Sequence, residues 1–347
     1  MPSGHSDADI DLPHHLSRPG SELVTLHSAL AAVLIGLLVP PWAGAAPAGT
    51  PAAAQDCGAA AAPAIPARPA AAVTGSGFLL QIAELDADRR EAAILDQVER
   101  GNIPSFLRRM VRVPVPQAGT NGVTAICAMP DYLAVGSDDD YFMMPMRLDT
   151  ALAIAARFGM TLPTRKMVDA IYDAAAVRLQ PQPLPATDAM RSTGYYWRHN
   201  LAVLAQRAAD AAPLGTLTAG DKKDLVLSPR LWSQQDRVAI YGWHVAPGHP
   251  IQPLSTVHGW RYADYSHGVR LISTIAYVEG SIVPLPTLLG EPARAARVSD
   301  EGYLPQPARL FALLEHPAAA SAAGRMPVTP AGAASLPLPA VPSRSLR

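Results

Sequence analysis

Cysteine is almost missing from this chain: Cys57 and Cys127 are the only two in 347 residues. Two thiols cannot build a zinc knuckle by themselves. Cys57 stands in an Ala/Pro stretch and Cys127 in an apolar run, contexts so different that no structural disulfide is expected, and Cys127 reads as a small buried hydrophobe. A surplus of either charge is missing too, since 28 Lys plus Arg face 29 Asp plus Glu without a basic block. Nucleic-acid binders draw most of their affinity from phosphate neutralisation, so no nucleic-acid partner is expected. HExxH, G-x-S-x-G and paired CxxC motifs are all absent.

The longest apolar run, ALAAVLIGLLV from Ala29, is too short to span a bilayer comfortably but suits the core of an export signal. Ala43-Gly44-Ala45 supplies a small-x-small cleavage pattern. The stretch ahead is acidic, with Asp7, Asp9, Asp11 and Glu22 against Arg18, where a signal peptide carries a basic segment. Residues 1–45 are therefore expected to direct export to the periplasm or exterior, with no stable membrane span after cleavage. Residues 46–73 and 317–347, rich in Ala and Pro, lack the large apolar side chains that offset ordering entropy and read as disordered. Residues 74–316, roughly 240 in all, fit one globular domain.

Within that domain, periodic apolar positions predict a helix over Phe78 to Gly101, another over Asp149 to Phe158 and a third starting at the cap Thr164. Met110–Val115, Val123–Met129, Val238–Trp243 and Val269–Val278 read as strands. The expected fold is α+β, with a helix-rich N-terminal half packed on a mixed or antiparallel sheet from the C-terminal half. Gly220-Asp221-Lys222-Lys223-Asp224 reads as a solvated turn feeding a strand, in which a lysine could serve as a base only if burial lowers its pKa, and Arg108 and Arg109 read as a solvated helix end, with anion binding as the alternative. Asp138, Asp139 and Asp140 repel one another, which favours solvent, a helix cap or a calcium ion held by Asp138 and Asp140.

Chemistry concentrates between His244 and Arg270, where four of the ten histidines fall. His244, His258, Asp264 and His267, with Ser266 and Arg270, are the candidate catalytic residues. Two mechanisms fit. Zinc could be held by His244, His258 and His267, with a bound water activated. Alternatively, a histidine oriented by Asp264 acts as general base towards water or Ser266, with Arg270 stabilising the oxyanion. The segment VHG...SHGVRL resembles the end of the L,D-transpeptidase motif, in which HG precedes SHGC and then an arginine. Val269 stands where that family has its nucleophilic cysteine and the gap between the two HG units is shorter, so no catalytic residue is carried over. The expected function is that of a secreted hydrolase acting on an envelope or extracellular polymer, or on a small-molecule substrate. The alternative is a carbohydrate-binding protein using Tyr195, Tyr196, Trp197, Trp243 and Trp260 as stacking platforms. Oligomeric state is not legible.

Overall fold

Asp86 splits the first predicted helix in two. Its carboxylate accepts a hydrogen bond from Arg89 N, as Thr74 Oγ1 does from Gly77 N, so α1 (Gly75–Ile82) and α2 (Ala87–Glu99) form where one helix was expected. The computed structural model describes residues 56–117, 119 and 122–304, all within one compact unit. The expected export segment 1–45 and the expected tail 317–347 lie outside the described residues. There follow β1 (Val111–Val115), β2 (Thr124–Ala128), β3 (Ala134–Gly136), β4 (Tyr141–Met143), α3 (Leu148–Arg157), β5 (Met160–Thr161), α4 (Arg165–Ala174) and β6 (Val177–Arg178). The second half adds α5 (Thr193–Asp210), β7 (Thr218–Ala219), β8 (Lys223–Leu225), β9 (Ile240–Ala246), β10 (His249–Ser255), β11 (His267–Gly268), β12 (Ile272–Val278), β13 (Ser281–Pro284), α6 (Leu285–Gly290) and α7 (Pro292–Ala295).

The chain is α+β, but the sheet is shared between the halves rather than supplied by the second. The larger sheet has the order β1-β2-β12-β13, with β5 also on β12, and all its pairs are antiparallel. Its centre is β2, buried along its whole length. Sealing Ile126 there contributes on the order of 2 kcal/mol. A smaller sheet runs β10-β9-β8-β11, antiparallel except for the parallel β8–β11 pair. Only Val269, Arg270 and Leu271 separate β11 from β12, so the two sheets are joined through a short buried link.

Cys57 and Cys127 form a disulfide, contrary to expectation, with their Cα atoms 6.0 Å apart. The expected linker 46–73 is ordered from Asp56 onward: Cys57, Ala61 and Ile65 enter the core, and Cys57 N donates to Met110 O. Small residues that looked unable to drive folding pack closely here because the crosslink brings them to the sheet. Closing a loop across a separation of 70 residues removes about 4 kcal/mol of unfolded-chain entropy in the chain-entropy account.

Candidate functional site

The small sheet presents two faces with different chemistry. Lys223 pairs with His267 across the parallel β8–β11 ladder, and Asp224 pairs with Gly268. Successive strand residues alternate sides, so Lys223 and His267 share one face while Lys222, Asp224 and Gly268 share the other. Gly268 is required by its surroundings: a Cβ there would lie 2.6 Å from the Tyr132 ring and 2.7 Å from Lys222 Cβ. Beside them, Trp243 of β9 has φ 58°, following Gly242 at φ 110°. Positive φ in a bulky side chain is a backbone outlier, a kind of strain that clusters at functional sites.

On the first face, Asp264 organises a tight turn. Its Oδ1 accepts from Ser266 N at 2.8 Å and from Ser266 Oγ at 2.5 Å, and its Oδ2 accepts from Tyr262 OH at 3.0 Å. His267 Nε2 lies 3.9 Å from Asp264 Oδ2, beyond hydrogen-bond reach. The His267 ring is 0 % exposed, and neither Nδ1 nor Nε2 has a partner among the described residues. Tyr262 meets His267 edge-on at 5.7 Å and stacks on His258 with ring centres 3.9 Å apart. Burial pulls His267 down to about 4, against the opposing pull of Asp264. Burial alone would raise Asp264, but the field of His267 and the bonds from Ser266 outweigh it and hold the carboxyl at about 2. At neutral pH the pair is therefore a carboxylate beside a neutral imidazole, and the carboxylate favours the tautomer with its proton on Nε2.

On the second face the charges are mostly paired. Arg207 Nη1 lies 2.6 Å from Asp131 Oδ2, and Tyr132 OH donates to Asp224 Oδ2 at 2.8 Å. Arg270, fully buried, donates to Met129 O and Thr218 O and stacks over the Tyr132 ring. Lys222 Nζ donates to Tyr265 O at 2.8 Å and lies 3.0 Å from His199 Nδ1. Burial pulls Lys222 down against the opposing field of Asp221, and its two neighbours, a carbonyl and an imidazole nitrogen, suit an ammonium that donates to both. Burial and that ammonium pull His199 down to about 2, so its Nδ1 accepts from Lys222 and its proton sits on Nε2. Burial raises Asp221 to about 7 and Asp224 to about 6. A cavity of about 10 Å³, lined in part by Tyr132, Lys222, Asp224, His244 and Arg270, has room for one water.

Of the fifteen buried polar side-chain atoms without a partner among the described residues, ten belong to Arg207, His199, Asp221, Asp224, Trp243, His267 and Arg270. Orphaned groups in a native interior call for a specific explanation, and they gather here rather than elsewhere in the fold.

The structure thus brings together three of the expected residues, His258, Asp264 and His267. Ser266 donates to Asp264 and not to a histidine, which makes it part of the turn. Arg270 is committed to two carbonyls and cannot serve an oxyanion. His244 sits elsewhere, its Nε2 2.9 Å from Asp169 Oδ1, an atom that also accepts from Tyr241 OH, and its ring stacked on Tyr172. The described residues contain no group of three or more His, Cys, Asp or Glu side chains placed to hold a metal. The zinc set His244, His258 and His267 is accordingly not assembled. Asp138 and Asp140 are likewise no calcium pair: each caps a helical turn, through Ser105 and Ser76 respectively. Arg108 binds the carbonyls of Pro66, Gly101, Ile103 and Pro104 instead of solvent. Tyr195, Tyr196 and Trp243 are buried and Trp197 packs edge-on against Phe142, so four of the five aromatics are taken up by packing.

Sequence reasoning missed His199 and Asp221, and allowed Lys222 or Lys223 a role only if burial lowered its pKa. The charged run Gly220–Asp224 looks like a turn, yet Asp221, Lys222 and Asp224 are buried. Its one legible signal is position, directly ahead of the apolar Leu225-Val226-Leu227, where a solvated charge is least at home. The chain matches none of the protein-family models, curated proteins or solved structures with which it was compared.

Proposed function

We propose that the chain is an exported hydrolase of an envelope or extracellular polymer, with the Asp264–His267 pair as its acid–base centre. One observation carries this: a fully buried imidazole, unpartnered at both nitrogens, held beside an ionised carboxylate. Leaving such donors and acceptors unmet costs stability, and a reacting water or substrate group would meet them. With the proton on Nε2 facing Asp264, the Nδ1 lone pair is free to accept a proton from water as that water attacks. Asp264 then stabilises the imidazolium, which returns that same proton to the leaving group and regenerates the neutral base, while His258, half-buried against Tyr262, packs beside the pair. A base held at about 4 is always in its basic form at neutral pH.

The disulfide is compatible with an oxidising compartment, and no helix among the described residues is long and apolar enough to cross a membrane. The carbohydrate-binding alternative has less support, because most of its aromatic residues are packed inside. The test is a screen of the oxidised protein against envelope and extracellular polymers. His267→Gln should lower the rate at least about 100-fold and His258→Gln less; unchanged rates in both variants would overturn the assignment.

A further inference from the structure

The unpartnered groups around Lys223 and Trp243 are weighted towards donors. Lys223 is half-buried and, among the described residues, its ammonium has neither a hydrogen bond nor an ion pair within 4.0 Å. It lies 5.0 Å from the centre of the Trp243 ring. Trp243 Nε1, a group that can only donate, is buried without an acceptor. So is His199 Nε2, which carries the proton because Nδ1 faces Lys222. The His199 and Trp243 rings are 6.3 Å apart. Above them the exposed Arg191 guanidinium lies 5.5 Å from the Tyr262 ring, adding positive field at the rim. Three donors without acceptors, one of them cationic, require an anionic acceptor. Trp243 is moreover kept in a strained backbone conformation.

The charge count selects the anion. Lys223 and the rim Arg191 carry two positive charges against the one ionised Asp264, which leaves one to be balanced by a monoanion, while a phosphate dianion would leave the site net negative. We propose that the polymer cleaved at the Asp264–His267 pair carries carboxylates, and that Lys223, backed by the Trp243 ring, binds the carboxylate next to the bond that is hydrolysed. The position of cleavage rests on the hydrolase assignment, whereas carboxylate binding is measured without it.

The test titrates the oxidised full-length protein with trigalacturonate, triglutamate, tripolyphosphate and maltotriose, following the Trp243 indole N–H signal by NMR. At least one carboxylate probe should bind and shift that signal, and comparison of the two tells a sugar acid from a peptide acid. Affinity should fall at least tenfold in Lys223→Met, be largely retained in Lys223→Arg, and decline with added salt. Tripolyphosphate or maltotriose binding as tightly, failure of both carboxylates to bind, or an unchanged affinity in a folded Lys223→Met protein would overturn the proposal. Lys223-dependent carboxylate binding without cleavage of any polymer would remove the hydrolase assignment alone. His267-dependent cleavage of neutral polymers without carboxylate preference would remove the substrate proposal alone.

Discussion

The two faces of the small sheet treat their buried ionisable groups differently, although Asp221 on the Asp224 side also keeps both carboxyl oxygens without a partner among the described residues. On the Asp224 side, arginines meet carboxylates and carbonyls: Arg207 pairs with Asp131, and Arg270 joins Met129 to Thr218 across the link between the sheets. On the Lys223 side, His267 has no partner at either nitrogen and Lys223 has no anion. Paired buried charges fix one arrangement of the chain, because removing either partner strands the other. Unpartnered groups do nothing for the fold and are free to meet something else. The difference separates scaffold from site, although both arise from residues adjacent in sequence.

The largest expected effect tests the scaffold face. Arg207→Met leaves the Asp131 carboxylate buried without its cation, and should lower unfolding stability by about 3–5 kcal/mol in urea titrations. His267→Gln loses no hydrogen bond, so its stability should stay within about 1 kcal/mol of the parent even as activity falls. Equal losses in the two variants would erase the distinction between the faces. A smaller effect is expected from Gly268→Ala, whose new methyl group must displace Tyr132 or Lys222 across the boundary between the faces. That overpacking should cost about 1–3 kcal/mol in the same titration, and an unchanged midpoint would mean that the link is looser than described.

How much of this was legible beforehand follows from how local each determinant is. Strands β2, β9 and β12 announce themselves through short apolar runs, and Thr164 through its cap, because a few neighbouring residues decide them. The disulfide was not legible, since its partners are 70 residues apart and the packing that favours it depends on the folded sheet. The cluster of His258, Asp264 and His267 was found from density alone. His244 was misplaced with it because Asp169, the residue that holds it, lies on α4, far away in sequence. Ser266 and Arg270 have the right chemistry for catalysis, but a two-residue turn and two carbonyls claim them first. Lys222 and Lys223 resembled a solvated turn because charge in a short window says nothing about which strands will cover it.

The account depends on His267 being a neutral, unpartnered base. The most direct measurement is an NMR titration of its imidazole nitrogens in the oxidised protein. The prediction is a neutral ring with the proton on Nε2 at pH 5.5, half-protonated only near about 4, and lower still in Asp264→Asn, because the carboxylate supports the charged form. Burial disfavours the imidazolium, so the shift must be downward from the ordinary 6.5. Titration near 6.5, or a proton fixed on Nδ1, would contradict the assignment of His267 as the base.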